Sequence, residues 1–259
     1  MQNLGVRLIG GPTALLTVGG LRLLTDPTFD EPRTIDSGSG SVLRKLRGPA
    51  LPVEEVGPVD AVLLSHDHHA DNLDDAGQAF LREVPKTLTT VPGAGRLGGT
   101  AVPMRVWEEA TLTPHDGGGL RVTALPAEHG PAGTMREPAD VIGFLLQGED
   151  LPTVYVSGDN ASVEVVRDIV ERLGGADVAI LFAGAAMVPR LPGVPLTLTA
   201  ERAVEAARVL DARRIVPVHF EGWAHFSEDA EALREAFQAA GLADRVTLLR
   251  PGEEVTISI

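Results

Sequence analysis

The order in which predicted strands and helices follow one another limits the fold of this chain more than any single motif does. In the first 60 residues the apolar segments VRLIGG, ALLTVGG and LRLLTDP are strand-like, and Gly19-Gly20 favours a two-residue hairpin. A helix is predicted at 74–84, and further strands are predicted at 87–91, 119–125 and 140–147. The first part of the chain therefore predicts strands joined mainly by hairpins.

Strands and helices alternate in the second part of the chain. TVYVSGD, DVAILFA and RIVPVH are strand-like, and ASVEVVRDIVERLGG, TAERAVEAARVL and SEDAEALREAFQAAG are helical. Ser227 is placed to cap the last helix and Gly241 to end it. Hairpins followed by alternation predict an α/β protein with two sheets and helices outside them. Because no low-complexity linker interrupts the 259 residues, we expect a single domain over 1–259.

The composition excludes several classes of site and partner. The chain has no cysteine, so disulfides, thiolate nucleophiles and sulfur-ligated metals are excluded. A formal net charge of -14 disfavours nucleic acid and anionic membranes, which attract clustered Lys and Arg. No stretch reaches the roughly 18 apolar residues of a membrane span, and the N-terminus lacks the basic region of a signal peptide. We expect a cytoplasmic protein with a small-molecule substrate and no membrane insertion. The sequence leaves open whether the chain forms a homo-oligomer.

The segment GAGRLG, residues 93–98, matches the dinucleotide-binding pattern G-x-G-x-x-G. That pattern binds a pyrophosphate only where a helix follows the glycines directly. Here GTAVPM follows, and Gly99 and Pro103 oppose a helix. The context predicts a glycine-rich loop without a nucleotide.

The segment SHDHHADN, residues 65–72, holds three of the seven histidines of the chain and follows the apolar run DAVLL. In an extended backbone His66 and His68 point to the same side because their spacing is i, i+2. Asp71 and Asn72 follow on the turn that leads to the predicted helix. So many imidazole and carboxylate groups within eight residues predict a metal site at the end of a strand.

Three more donors stand where later strands end. His129 follows LRVTALPAE, Asp159 follows TVYVSG and His219 follows RIVPV. An α/β sheet places its site at the carboxyl ends of its strands, so these side chains are predicted to converge with the histidine segment. His115, in TPHDGGG, is predicted to be a turn residue and not a ligand.

This series of residues resembles the metallo-β-lactamase superfamily, whose order is an early Asp, then H-x-H-x-D-H, then His, Asp and His. The matching residues are Asp26, His66, His68, Asp71, His129, Asp159 and His219. Within the superfamily the chain is most similar to the branch of L-ascorbate-6-phosphate lactonase and N-acyl-phosphatidylethanolamine phospholipase D, because SHDH and a late HxEGW segment recur there. The resemblance implies a four-layer αββα sandwich with two divalent ions, zinc or manganese, at one edge.

The resemblance also implies roles for individual residues. One ion would be held by His66, His68 and His129, and a second by Asp71, Asp159 and His219, with Asp159 as the bridge. Asn72 would be an additional oxygen ligand, and Asp26 would orient a ligand histidine unless it only forms a Thr-Asp-Pro turn. A metal-activated hydroxide would then attack a lactone, ester, amide or phosphodiester.

Two departures from the family pattern leave alternatives open. The segment has one extra residue, His69 or Ala70, and Asn72 stands where the family has a histidine. The second ion is therefore expected to be weaker, or held with the help of His69 or His225; His69 could instead face solvent.

The remaining predictions concern catalysis and the substrate pocket. His225 is predicted to act in catalysis with Asp71 and Asp159, and to line the substrate pocket with Trp223. The competing hypothesis is a non-catalytic metal-binding or ligand-sensing protein on the same scaffold.

Overall fold

The computed structural model describes residues 3–36, 42–114, 118–130 and 140–259, so the turn predicted at His115 lies outside the described residues. The strands are β1 Asn3–Gly10, β2 Thr13–Val18, β3 Leu21–Thr25, β4 Thr34–Asp36, β5 Val42–Arg44, β6 Ala61–Leu63, β7 Thr87–Thr90, β8 Ala101–Met104, β9 Glu109–Leu112, β10 Leu120–Pro126, β11 Ile142–Gly148, β12 Val154–Val156, β13 Val178–Phe182, β14 Arg214–Val218 and β15 Glu254–Ser258. The helices are α1 Val53–Val56, α2 Asp75–Phe80, α3 Val91–Leu97, α4 Val163–Leu173, α5 Ala200–Val209 and α6 Ala230–Ala239.

The strands form two large sheets and one small hairpin. The first sheet has the order β15-β1-β2-β3-β6-β7-β8, and the second has the order β14-β13-β12-β11-β10-β9. Strands β4 and β5 pair separately. In the first sheet β3, β6, β7 and β8 are parallel, and in the second β12, β13 and β14 are parallel. The parallel strands therefore carry their carboxyl ends to a common edge of each sheet.

The alternation of side chains along the strands creates four layers. All five residues of β13 are buried, but Ile180 lies in the core between the two sheets and Leu181 lies in the core beneath α4, α5 and α6. In β6 Leu63 faces the core between the sheets, whereas Val62 faces a third core that includes Leu81 after α2 and Val56 of α1. Helices therefore cover the outer face of each sheet, which confirms the predicted αββα sandwich.

Two local predictions were wrong. Residues 93–98 are not a loop, because α3 begins at Val91 and the side chain of Thr90 caps it by accepting from the Gly93 amide at 3.0 Å. The helix thus begins before the glycines. Pyrophosphate binding would require a helix that begins after them. The cap of α6 is Asp229, which accepts from two amides of the first turn, whereas the Ser227 hydroxyl donates to the Ala185 carbonyl at 2.7 Å.

The helices of the described ranges are short. The longest, α4, has 11 residues, and within the described part of the chain no helix is long and apolar enough to span a membrane.

Candidate metal centre

The residues singled out in the sequence follow strands that end at one edge of the sandwich. Asp26 follows β3 and the 65–72 segment follows β6, both in the first sheet. His129, Asp159 and His219 follow β10, β12 and β14 in the second sheet. The fold therefore brings both sets of side chains to the same edge, as the strand-end positions predicted.

Close contact between the two sheets at this edge depends on Gly158. Its φ is +55°, and a Cβ there would lie 2.5 Å from the Ile142 carbonyl oxygen and 2.9 Å from the Ser65 Cβ. Only glycine tolerates both the conformation and the contact. The Ile142 amide also donates to the Ser65 carbonyl at 3.1 Å. Asp159, the next residue, is thereby held against the histidine segment.

Four donors converge at the centre of this edge. The ligand atoms of His66, His69, His129 and Asp159 all lie within 4.8 Å of one another. Among the described residues this is the one set of three or more His or acidic side chains with such spacing. Three imidazoles and one carboxylate are a donor set that zinc and manganese accept. These four residues are therefore the ones that fit a divalent ion.

Neighbouring groups orient two of these imidazoles. The Ser65 hydroxyl donates to Asp26 Oδ2 at 2.6 Å, so its oxygen accepts from His66 Nδ1 at 2.9 Å. His129 Nδ1 lies 2.7 Å from the Leu196 carbonyl oxygen and donates to it. In each ring the remaining nitrogen, Nε2, keeps its lone pair, which is how metal-ligating histidines are held in proteins.

The electrostatics keep His66 and His69 neutral, as metal ligation requires. Burial, together with His69, holds the pKa of His66 well below its ordinary value. Burial, together with His129, lowers the pKa of His69 to about 3. The Nε2 atom of His66 lies 2.9 Å from Nδ1 of His69, so two weakly basic nitrogens are held close together. Burial also raises the pKa of the Asp26 carboxyl to about 7.

A second group of polar side chains surrounds Asp71. Its Oδ2 lies 3.0 Å from His225 Nε2 and 3.5 Å from His219 Nε2. His219 Nδ1 is in turn 3.0 Å from Asp159 Oδ1. Burial disfavours the charged form of Asp71, but His225 and His219 outweigh burial and hold its pKa well below the usual range. Burial likewise opposes the charge of His219, and Asp159 and Asp71 outweigh it and raise the pKa of His219 to about 10.

Backbone strain occurs at two of these positions. Asp26 has a φ of 26° and His219 a φ of 56°, although neither is glycine. The His219 amide is fixed by donating to the Gly11 carbonyl at 2.8 Å. Strained conformations of this kind are retained where the side-chain direction matters for a site.

Asn72 is fully buried between two carboxylates. Its Nδ2 donates to Asp26 Oδ2 at 3.0 Å and to Asp159 Oδ1 at 3.1 Å. Its Oδ1 has no hydrogen-bond partner among the described residues. Asn72 thus links Asp26 with the donor group through its amide nitrogen.

His68 and Trp223, both predicted as site residues, also lie beside the donor group and not in it. His68 is partly buried, its ring centroid is 4.3 Å from that of His69, and it is not one of the four converging donors. Trp223 is 3% exposed, with its ring 6.1 Å from that of His225 and 5.5 Å from the Lys45 ammonium. Trp223 therefore supports His225 from within the protein.

Sequence reasoning did not assign His69 to the first ion. The prediction treated residues 66–68 as extended, whereas the structure bends at 67–69, and the amides of Asn72 and Leu73 both donate to the His69 carbonyl, at 3.1 and 2.9 Å. This turn moves His69 inward. The spacing of His69 and Asp71, which keeps the H-x-D part of the family motif, was a signal that could have identified it.

Comparisons with known proteins agree with this architecture. The family model described as "Beta-lactamase superfamily domain" matches residues 21–220. N-acyl-phosphatidylethanolamine-hydrolyzing phospholipase D 1 of Caenorhabditis elegans is 26% identical over 226 residues, which are 82% of this chain and 62% of that protein. A UPF0173 metal-dependent hydrolase of Anaeromyxobacter dehalogenans is 27% identical over 248 residues, which are 92% of this chain and 81% of that protein. The crystal structure of an isothiocyanate hydrolase from Delia radicum gut bacteria has the same fold, with a TM-score of 0.80 at 23% identity over 98% of this chain and 99% of that one.

Proposed function

This chain belongs to the metallo-β-lactamase superfamily, and we propose that it is a metal-dependent hydrolase whose catalytic ion is held by His66, His69, His129 and Asp159. The observation that carries the proposal is the convergence of these four donor atoms within 4.8 Å. A divalent ion held there, zinc or manganese, would supply a Lewis acid and would lower the pKa of a bound water. The proposal uses His69 in place of His68, which the sequence pattern had favoured.

The residues around the donor group support proton transfer and positioning. The His225 Nε2 atom pairs with Asp71 Oδ2 at 3.0 Å, which fixes the ring and leaves Nδ1 buried without a partner among the described residues. His225 is therefore the residue we assign to holding or delivering a proton to the leaving group. Asp71 orients His225, and Asp159 contributes charge to the donor group.

The net charge of the chain favours a neutral substrate. The whole chain carries a formal charge of -14. A phosphodiester would approach against this field, whereas a neutral carbonyl compound would not. We assign an ester or lactone as the substrate class. Hydrolysis of an amide would follow the same chemistry, but the amine is a poorer leaving group.

A phosphodiester is the second candidate. It is favoured by the similarity to the Caenorhabditis elegans relative, which is named a phospholipase D. The two candidates are separated by comparing the hydrolysis of lactones and nitrophenyl esters with that of nitrophenyl phosphodiesters.

The experiment that tests the proposal uses one preparation in three states: as purified, stripped with a chelator, and reloaded with zinc or manganese. We expect hydrolysis of a lactone or ester that is lost on stripping and recovered on reloading. Hydrolysis that is unchanged in the stripped protein would refute a metal-dependent mechanism. Metal binding without turnover of any substrate class would favour the non-catalytic binding or sensing protein.

A further inference from the structure

The donors of this edge fall into two groups with different geometry. In the first, four ligand atoms lie within 4.8 Å of one another, and no other set of the described residues does this. In the second, Asp71 Oδ2 is hydrogen-bonded to His225 Nε2 and lies 3.5 Å from His219 Nε2, but these described side chains form no such converging set. From this difference we infer that the chain binds one catalytic ion, and that Asn72 and the Asp71–His225 pair occupy the place of a second. The inference deepens the proposed function and rests on it.

The first reason is the orientation of the Asn72 amide. Both of its N–H groups are used, because Nδ2 donates to Asp26 Oδ2 and to Asp159 Oδ1. The reverse orientation would place the amide oxygen against two carboxylates, so the charges around it select the observed one. An amide nitrogen has no lone pair to offer a cation.

The second reason is the hydrogen bond between Asp71 and His225. His225 Nε2 approaches Asp71 Oδ2 at 3.0 Å with the alignment of a hydrogen bond. The charge of Asp71 is thus already matched by an N–H group of the chain, and His219 lies on the same oxygen at 3.5 Å.

The third reason is the position of His219 between two acidic groups. Its Nδ1 is 3.0 Å from Asp159 Oδ1 and its Nε2 is 3.5 Å from Asp71 Oδ2. One imidazole therefore lies between the two carboxylates that a second ion would have to reach together. We therefore expect these residues to hold no second ion, which differs from the two-ion expectation drawn from the family pattern.

The test counts ions in the folded wild-type protein. Metal-stripped protein is dialysed against zinc, and separately against manganese, at free concentrations up to about 100 times the Kd of the first ion. Bound metal per chain is then measured by inductively coupled plasma mass spectrometry. We expect one equivalent, and with manganese the six-line electron paramagnetic resonance spectrum of an isolated ion. Two equivalents, or a spectrum of two coupled manganese ions, would overturn the inference.

Variants at position 72 test why the stoichiometry is one. Asn72→His supplies an imidazole beside Asp71, and we expect it to bind a second equivalent. Asn72→Ala removes the amide without adding a donor, and this matched control should still bind one equivalent of metal. One equivalent in both variants would overturn the role of Asn72. Circular dichroism establishes that each variant is folded. The number of ions measured in the wild-type protein does not depend on either variant.

Failure of the inference is distinguishable from failure of the proposed function. Two ions together with metal-dependent hydrolysis would contradict the single-ion inference and leave the hydrolase proposal standing. A protein that binds no ion at His66, His69, His129 and Asp159 would contradict both.

Discussion

Replacing His69 by alanine is the most direct test of the donor group, because His68 is an adjacent matched control. Both side chains are imidazoles in the same turn, with ring centroids 4.3 Å apart. Only His69 belongs to the group of four converging donors. If the extended-strand prediction were right, His68→Ala would remove the ligand; if the folded turn is right, His69→Ala would.

The structure gives the expected size of the effect. A four-ligand zinc site contributes about 10–16 kcal/mol of binding free energy, or about 3 kcal/mol per ligand. Loss of one ligand should therefore weaken binding about 100-fold for His69→Ala. His68→Ala removes a ring outside the donor group, so we expect a change of about twofold, corresponding to about 0.5 kcal/mol.

The assay is a competition for zinc between each variant and a chromophoric chelator of known affinity, with thermal unfolding measured in parallel to verify folding. Zinc affinity measured this way does not depend on knowing the substrate. The reasoning is refuted if His68→Ala weakens zinc binding as much as His69→Ala does, or if His69→Ala retains wild-type affinity.

Three further variants test other parts of the site and its support. Ser65→Ala removes the acceptor that orients His66 at 2.9 Å, so metal affinity should fall about 10- to 100-fold while the fold is kept, and competition titration measures the loss. Asp159→Ala removes the carboxylate of the donor group, so hydrolysis should fall by orders of magnitude, and steady-state rates with metal in excess provide the check. Lys45→Ala leaves the fully buried Asp74 without its ion pair at 2.8 Å, so the free energy of unfolding should fall by about 3–5 kcal/mol; a denaturation curve that coincides with the wild type would contradict this.

The sequence alone was sufficient to predict the layers of the fold. In β13 the run VAILF has apolar residues on both faces, which predicts a strand covered on both sides, and its alternate residues do lie in two different cores. Gly241 also marked the end of α6, whose last residue is Ala239. These features depend on neighbours within a few residues, and such local preferences can be read without knowing the rest of the structure.

The sequence also predicted which edge would hold the site. His129, Asp159 and His219 were identified because each follows an apolar strand, and strand order places such positions together. Their convergence is a property of topology, which the alternation of strands and helices largely determines.

Only the tertiary structure decided which histidine joins the donor group. The choice between His68 and His69 depends on how the extra residue of the 65–72 segment is accommodated, and the turn closes there through the His69 carbonyl. Periodicity cannot predict this, because a bend of one residue reverses the direction of a side chain.

The role of Asn72 likewise came from contacts across the fold. Its amide is oriented by Asp26, 46 residues away in the chain, and by Asp159, 87 residues away. The ring of His225 meets Asp71 across 154 residues. Hydrogen bonds depend on distance and direction between atoms, and neither exists until the two sheets have packed together and Gly158 has let their loops meet.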